Sequence, residues 1–376
     1  MPLFHTDEQT MIKEMVAPLL AEQGSGAIRA QRDLGPETAY SSGQWRQFVE
    51  MQLPGLLVSS AHGGGGLGHV EAGIVMEEIG RTLSPSPFLA SAIGAVTALG
   101  FADDALQARW LPALAGGVIA ALAIDEGLKH RPGHVALSAR AEKGGFRLNG
   151  VKRSVVGASE AELLIVNART SGAVDDESGL TLFALSLPRE GVRVESQRLI
   201  DGSVAAMVRF DDALVEETAV IGETGQGRAP LSAMVDAVRI GAAAELVGVA
   251  SAAAALALAH LKQRSQFGRL IGQFQALQHR AAMVYVEIEI ARAAVLKAQH
   301  LLDAGDPAAP LMIAVAKSKA GAASRRAVQE GVQMHGGMGM TDEHDVGLYM
   351  KRDRVLDEMF GDAGFHADRV AQLNGY

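Results

Sequence analysis

Apolar residues recur at helical spacing through the first third of the chain. "TMIKEMVAPLLAEQG" is amphipathic and runs to Gly24, and "EAGIVMEEIGRTL" and "DDALQARWLPALAGG" repeat the pattern. Thr6 and Gln9 have the spacing of a capping box ahead of the first helix, with Asp7 and Glu8 in its first turn. Asp103 or Asp104 caps the third. The glycine run "HGGGGLG" separates helices. Either it is a flexible turn or it cradles phosphate, but no clear strand precedes it and no Gly-Lys-Ser/Thr follows.

After Gly117 the period changes to two. "HVALSARAEKGGFRLNGVKRSVVGASEAELLIVNAR" alternates apolar and polar residues, with turn signals at Gly144-Gly145 and Asn149-Gly150. "LTLFALSL", "VRVESQRL" and "AAMVRFDDALV" continue it to Gly222, so an antiparallel β domain is expected. From Leu231 the helical pattern returns, with a further helix start at Asp306-Pro307. The division is an N-terminal helical domain (1–117), a middle β domain (118–222) and a C-terminal helical bundle (223–376).

"IGAAAELVGVASAAAALALAHL", Ile240 to Leu261, is long enough to span a bilayer. Alanine dominates it and Glu245 sits inside it, so a buried bundle helix is expected and no membrane. Composition narrows function. Of 376 residues, 48% are hydrophobic and 20% charged, as in a packed globular protein. A net charge of −9 disfavours nucleic acid. The absence of cysteine excludes disulfides, thiolate nucleophiles and Cys-ligated zinc. "MPLFHTDEQT" lacks the basic and apolar regions of a signal peptide, and a cytoplasmic protein is expected.

Two C-terminal segments carry chemistry. "RSQFGRLIGQFQALQH" breaks a helix at Gly268 and Gly272. Arg264 could pair with a phosphate, Phe267 and Phe274 could cover a ring, and Gln275 could hydrogen-bond it; an ordinary helix-turn-helix with a surface Arg reads as well. In "QMHGGMGMTDEHD" the glycines Gly336, Gly337 and Gly339 permit close approach of backbone N–H groups to a pyrophosphate. His335, His344 and Glu343 lack metal-site spacing and read as solvated loop residues, so no metal is expected.

Together with "EEIGR" (Glu77 to Arg81), "RLNGVK" (Arg147 to Lys152), "QMHGGMGMTDEHDVGLYMKRD" and "RFDDALVEETAVIGETGQG", these segments resemble the acyl-CoA dehydrogenase family, in order across essentially the whole chain. The resemblance implies an FAD-dependent α,β-dehydrogenase of acyl-CoA thioesters, mainly helical with a middle β domain and a C-terminal four-helix bundle. It implies FAD between the middle and C-terminal domains, its adenosine and pyrophosphate end contacted from the neighbouring subunit. Those contacts fall here on Arg264, Gln266, Phe267, Phe274, Gln275, Gln333, Gly336 and Gly337. A homo- or hetero-oligomer, dimer or tetramer, and an electron-accepting flavoprotein partner are also implied.

The sequence departs from the family around the reacting centre. Ile124 and Asp125 stand where the family has Thr-Glu, and Ser154, Val155 and Val156 where it has Trp-Ile-Thr. The two places where members carry the catalytic Glu hold Gly361 and Val238. Asp362, Glu358 and Asp357 in "RVLDEMFGDAG" are the candidate substitutes; alternatively all three are solvated or paired with Arg352 or Arg354. Heteromeric members, in which one subunit carries the base and the other helps to hold flavin, often act on bulky steroid-like thioesters. A non-catalytic assembly subunit, or a flavin oxidase or monooxygenase using Asp362, are the other readings.

Overall fold

The computed structural model describes residues 5–22, 24–32, 35 and 38–376. Its elements in order are α1 (Asp7–Ala21), α2 (Gly24–Arg32), α3 (Ser42–Glu50), α4 (His69–Thr82), a π-helical stretch Leu89–Ala95 leading into α5 (Val96–Leu99), and α6 (Asp104–Ala115). Strands follow: β1 (Ala120–Ala123), β2 (Ser138–Glu142), β3 (Gly145–Val156), β4 (Leu163–Arg169), β5 (Leu180–Ser186), β6 (Val192–Arg198), β7 (Val204–Glu216) and β8 (Val220–Ile221). The chain ends with α7 (Arg228–Gln263), the hairpin β9 (Ser265–Gln266) and β10 (Arg269–Leu270), then α8 (Gln275–Asp303), α9 (Ala309–His335), α10 (Val346–Glu358) and α11 (Ala363–Leu373). The described residues gather into two compact units. One holds the N-terminal residues to Arg29, His69–Ser84 and Arg239–Tyr376; the other holds Ala30–Gly68 and Pro85–Val238.

The sheet belongs to the second unit. Its order is β6-β7-β3-β2-β4-β5-β8, with β1 also paired to β4. It is mixed rather than antiparallel: β1 runs parallel to β4, and β2 meets β4 in parallel at Ser138 and Arg169. β1 and β4 are buried along their whole lengths, as parallel strands inside a sheet are. The first turn signal makes the β2–β3 hairpin at Lys143-Gly144, with Gly144 at φ 86°. The second makes no turn. Asn149-Gly150 lies within β3 as a bulge, where Gly150 takes φ 141° and a Cβ would stand 2.9 Å from Leu137 Cδ1. The glycine run after His62 is pinned, not flexible: Gly65, Gly66 and Leu67 N–H donate to the carbonyls of Gly55, Val58 and Leu56 at 2.8–2.9 Å.

In the first unit the Thr6 capping box forms, Thr6 and Gln9 bonding reciprocally at 3.0 and 3.2 Å. Helices α4 and α7 cross where glycine removes the Cβ: one on Gly80 would run into the Glu245 carbonyl, and one on Gly248 into that of Glu77. Helix α7 is long and apolar enough to cross a membrane, yet 61% of its apolar window is buried within the protein. Glu245 is explained by Arg352 of α10, whose Nη2 lies 2.6 Å away. Helix α9 begins at Ala309, later than Asp306-Pro307 suggests, because the Asp306 carboxylate accepts the Ala308 N–H (2.8 Å) and closes a turn ahead of the helix.

Candidate functional site

The unit containing α7 from Arg239 onward and α8 to α11 brings the two chemistry-bearing segments together. Ala257, Leu261 and Met334 form a small buried cluster at the ends of α7 and α9, and Ile271 and Leu277 pack on it. Beyond it the chain turns through Phe267 (φ 54°) and Gly268 (φ 77°), a tight hairpin whose second residue suits glycine. Phe267 is 90% exposed and meets Phe274 edge-on at 6.2 Å; Arg269 covers Phe274 at 4.1 Å. Arg264 is exposed, and its guanidinium has no hydrogen-bond or ion-pair partner among the described residues. Gln266 and Gln275 are exposed on the same excursion, and Gln333 is exposed in the last turn of α9. Gly336 takes φ 63°, and a Cβ on Gly336 or Gly337 would meet nothing within 4 Å. An open Arg, an open glycine turn and an exposed aromatic side chain suit an anionic aromatic ligand.

His335 is not a solvated loop residue, whereas His344 does lie in the loop before α10, half-buried. His335 is buried and stacks between His260 and His344. No group of three or more His, Cys, Asp or Glu able to hold a metal occurs among the described residues.

The C-terminal turn lies in the same unit. Helix α10 ends at Glu358, and Phe360 (φ 58°) and Gly361 (φ 102°) follow in left-handed conformations. The turn is held by buried cations and an imidazole. Lys317 Nζ donates to the carbonyls of Leu356 (3.1 Å), Asp357 (3.2 Å) and Gly361 (3.0 Å). The Phe360 carbonyl accepts from Arg239 Nε (3.2 Å) and His366 Nε2 (3.1 Å). Burial, with Arg239 and Lys317 nearby, drives the His366 imidazole down to about 2, so it is neutral. A Cβ on Gly361 would press into the Phe365 ring, 2.9 Å from Cε1, and stand 3.0 Å from His366 Nε2.

The candidate carboxylates have other tasks. Asp362 caps α11, accepting the Phe365 N–H at 2.7 Å. Asp357 is buried and paired with Arg325, not with Arg352 or Arg354. Glu358 is exposed at the helix end. Because α10 stops at Glu358, Gly361 lies outside the helix that carries Asp357 and Glu358. Val238 is fully buried, its Cγ1 2.8 Å from where a Cβ on Gly94 would stand. In the second unit Asp125 binds His130 Nδ1 (2.7 Å) and the Arg131 N–H (2.9 Å), and Glu126 binds the fully buried Lys152 (2.8 Å). Ser154 takes φ 54° at a bulge, with Val155 buried and Val156 half-buried.

Residues 6–118 match the acyl-CoA dehydrogenase N-terminal domain, and residues 225–373 the acyl-CoA dehydrogenase C-terminal domain. Acyl-CoA dehydrogenase IpdE2 of Mycobacterium tuberculosis is 32% identical over 349 residues, 92% of this chain and 91% of its own. The chain belongs to the acyl-CoA dehydrogenase family. Among solved structures it is similar to a chain of the Tcur3481-Tcur3483 steroid ACAD, with TM-score 0.87, 26% identity and 98% of each chain covered. It shares its fold with a chain of the ChsE4-ChsE5 complex from Mycobacterium tuberculosis, with TM-score 0.88, 22% identity and 100% of each chain covered. As an acyl-CoA dehydrogenase family member the protein is an FAD-dependent oxidoreductase. The open Arg264 and the open Gly336–Gly337 turn fit the phosphate-bearing end of that cofactor. Pattern and resemblance missed the buried ionisable set of Arg239, Lys317, Asp353 and His366. The available signal was a charge inside an apolar run, as at Arg239 in "AVRIGAAA" and Lys317 in "IAVAKSKAG".

Proposed function

We propose that this chain is the flavin-holding subunit of an acyl-CoA dehydrogenase assembly whose α-proton acceptor is a carboxylate of a base-bearing partner subunit. The observation that carries the reading is Gly361. Its backbone is left-handed, and the volume a side chain would need is taken by Phe365 and His366. The neighbouring carboxylates are a helix cap, a buried ion pair and an exposed helix end.

The assignment of FAD's adenosine end to Arg264, Gln266, Phe267, Phe274, Gln275, Gln333, Gly336 and Gly337 rests on the resemblance and on their shared open surface. Arg264 supplies a charge-assisted pair to phosphate, and Phe267 an apolar cover. FAD, when bound, accepts the hydride leaving the β-carbon of the thioester. The substrate class is an acyl-CoA, the electrons pass to an accepting flavoprotein, and the assembly is cytoplasmic and oligomeric. The likeness to a steroid ACAD supports a bulky acyl group.

The test is anaerobic flavin bleaching with straight-chain, branched and steroid-like thioesters. A positioned base contributes ~10²–10⁴-fold, so the isolated chain is expected to bleach slowly and to reach full rate with a homologue carrying Glu at the corresponding position. Rapid bleaching by the isolated oligomer, abolished by Asp362→Asn and not by Glu358→Gln, would overturn the reading and make Asp362 the base.

A further inference from the structure

Three imidazoles stand in a row behind the Gly336–Gly337 turn. His335, the last residue of α9, stacks on His260 near the end of α7 and on His344 just before α10, with ring centroids 4.5 and 4.2 Å apart. The row joins three segments far apart in the sequence: the end of α7, the end of α9 and the residues just before α10. Two of its members adjoin the open surface described above: Arg264 follows His260 by one turn, its N–H bonded to the His260 carbonyl (2.9 Å), and Gly336 follows His335 directly.

Hydrogen bonds place the protons. His335 Nδ1 donates to the Gly331 carbonyl at 2.7 Å. His344 Nδ1 accepts the N–H of Val346, the first residue of α10, at 3.2 Å, so its own proton sits on Nε2. The charges around the row come from every neighbouring segment. Arg264 lies on the α7 side. Arg29 of α2 donates to the carbonyls of Asp342 (2.8 Å) and Glu343 (3.0 Å) and to the Asp345 carboxylate (2.8 Å). Lys351 of α10 pairs with Asp342 at 2.9 Å. No carboxylate hydrogen-bonds to any of the three rings among the described residues.

We propose that the histidine row is a pH-operated latch: neutral, it fastens the 336–345 segment to the ends of α7 and α9, and on protonation it releases that segment. A second proton on His344 would replace an acceptor by a donor facing the Val346 N–H, at the positive end of α10. A proton on His260 or His344 would also set a cation against the neighbouring ring, with Arg264 near the one and Arg29 near the other. Burial, then the neighbouring imidazole and arginine charges, hold His260 and His344 below their ordinary value of 6.5. For such groups the stabilising contribution is complete above 6.5 and fades as pH falls below it. The latch is therefore shut at neutral pH and opens with acidification. Its consequence for cofactor rests on the assignment of FAD's adenosine end to Arg264 and the glycine turn: a loosened turn holds FAD less well.

The experiment is hydrogen exchange on the full-length protein from about pH 8 to about pH 5.5, corrected for intrinsic exchange, with flavin content followed alongside. Peptides covering 336–346 should lose protection by up to about tenfold per pH unit for each proton taken up, while the middle of α9 keeps its own. His344→Asn keeps an acceptor for Val346 without titrating, and His260→Phe keeps a stacked ring; each should flatten the loss. Equal loss along the whole chain, no loss at 336–346, or the same loss in wild type and both variants overturns the latch. Should one variant not fold, the wild-type peptide map and the other variant still decide. The FAD assignment is read separately at about pH 8, where Arg264→Ala should lower flavin content. Unchanged flavin there rejects that assignment and leaves the exchange result to judge the latch alone.

Discussion

Four residues explain most of what is unusual here, and each is a charge or a glycine in a place that opposes it. Gly361 stands where the family resemblance leads one to expect a carboxylate, but what surrounds it was not legible in the sequence: the ring of Phe365 and the imidazole of His366 come from four and five residues later, folded back by a left-handed turn. Lys317 and Arg239 are charges within apolar runs, and only the fold reveals the carbonyls that receive them. Asp353 is the least accommodated of the set. It is fully buried on α10 with the Ser324 hydroxyl beside it, and burial, opposed by Ser324 and by the Arg325 and Arg354 charges, still pushes its carboxyl up from 3.8 to about 6. A raised carboxyl stabilises the fold relative to an ordinary one only while protonated. Its contribution is complete below 3.8 and is lost as pH rises through about 6, where a buried charge must be carried. Asp353→Asn removes that charge. Urea unfolding should show the variant more stable than wild type by about 3 kcal/mol near pH 8, the gain shrinking towards zero near pH 4. An unchanged difference across that range would mean that Asp353 is not the titrating group.

At the scale of elements the sequence was legible wherever periodicity and caps decide the outcome. The Thr6 capping box, the Asp103 cap of α6 (2.8 Å to the Leu106 N–H) and the β2–β3 hairpin are local matters, and they formed as read. What failed was non-local. Parallel pairing of β1 with β4 depends on a segment nearly forty residues downstream, and nothing in β1's own four residues specifies its direction. The Asn149-Gly150 dipeptide is a turn signal by composition, but within β3 the close approach of Leu137 makes it a bulge. The end of α10 shows the same dependence on distant partners. Its final carbonyls are capped not by a glycine motif but by Lys317 of α9, which also ties in Gly361. Lys317→Met keeps the bulk and removes all three donors. Leaving buried carbonyls unmatched costs ~1–3 kcal/mol each, so the variant should lose several kcal/mol in urea. Exchange protection at 359–366 should fall first. Equal stability of the variant would show that the carbonyls find other donors.

For the whole molecule, the exposed face of α8 bears on assembly. Met283, Val286 and Ile290 follow one another at intervals of three and four residues, each half or more exposed, with Tyr285 at 63% beside them. Next to this stripe α7, α8 and α9 line a cavity of about 190 Å³ walled by Ala254, Leu258, Ala281 and Ile288 among others. A stripe of that kind on an otherwise amphipathic helix is what a bundle helix shows when another chain completes its packing. The open surface around Phe267 has the same character, since Phe267 would otherwise stand in water at 90% exposure. A second chain, identical or homologous, relieves both exposures at once, and a closed symmetric assembly is the usual form. Light scattering is expected to find a dimer or tetramer. Val286→Asp with Ile290→Asp should dissociate it, because each charge would have to be buried unpaired at the contact. The outcome also bears on the cofactor. If the adenosine-side residues serve a site completed by the neighbouring chain, the dissociated variant should keep its helical content and lose FAD, although neither substitution lies in the Arg264 or Gln333 segments. A variant that dissociates and still holds FAD would place the whole flavin site within one chain.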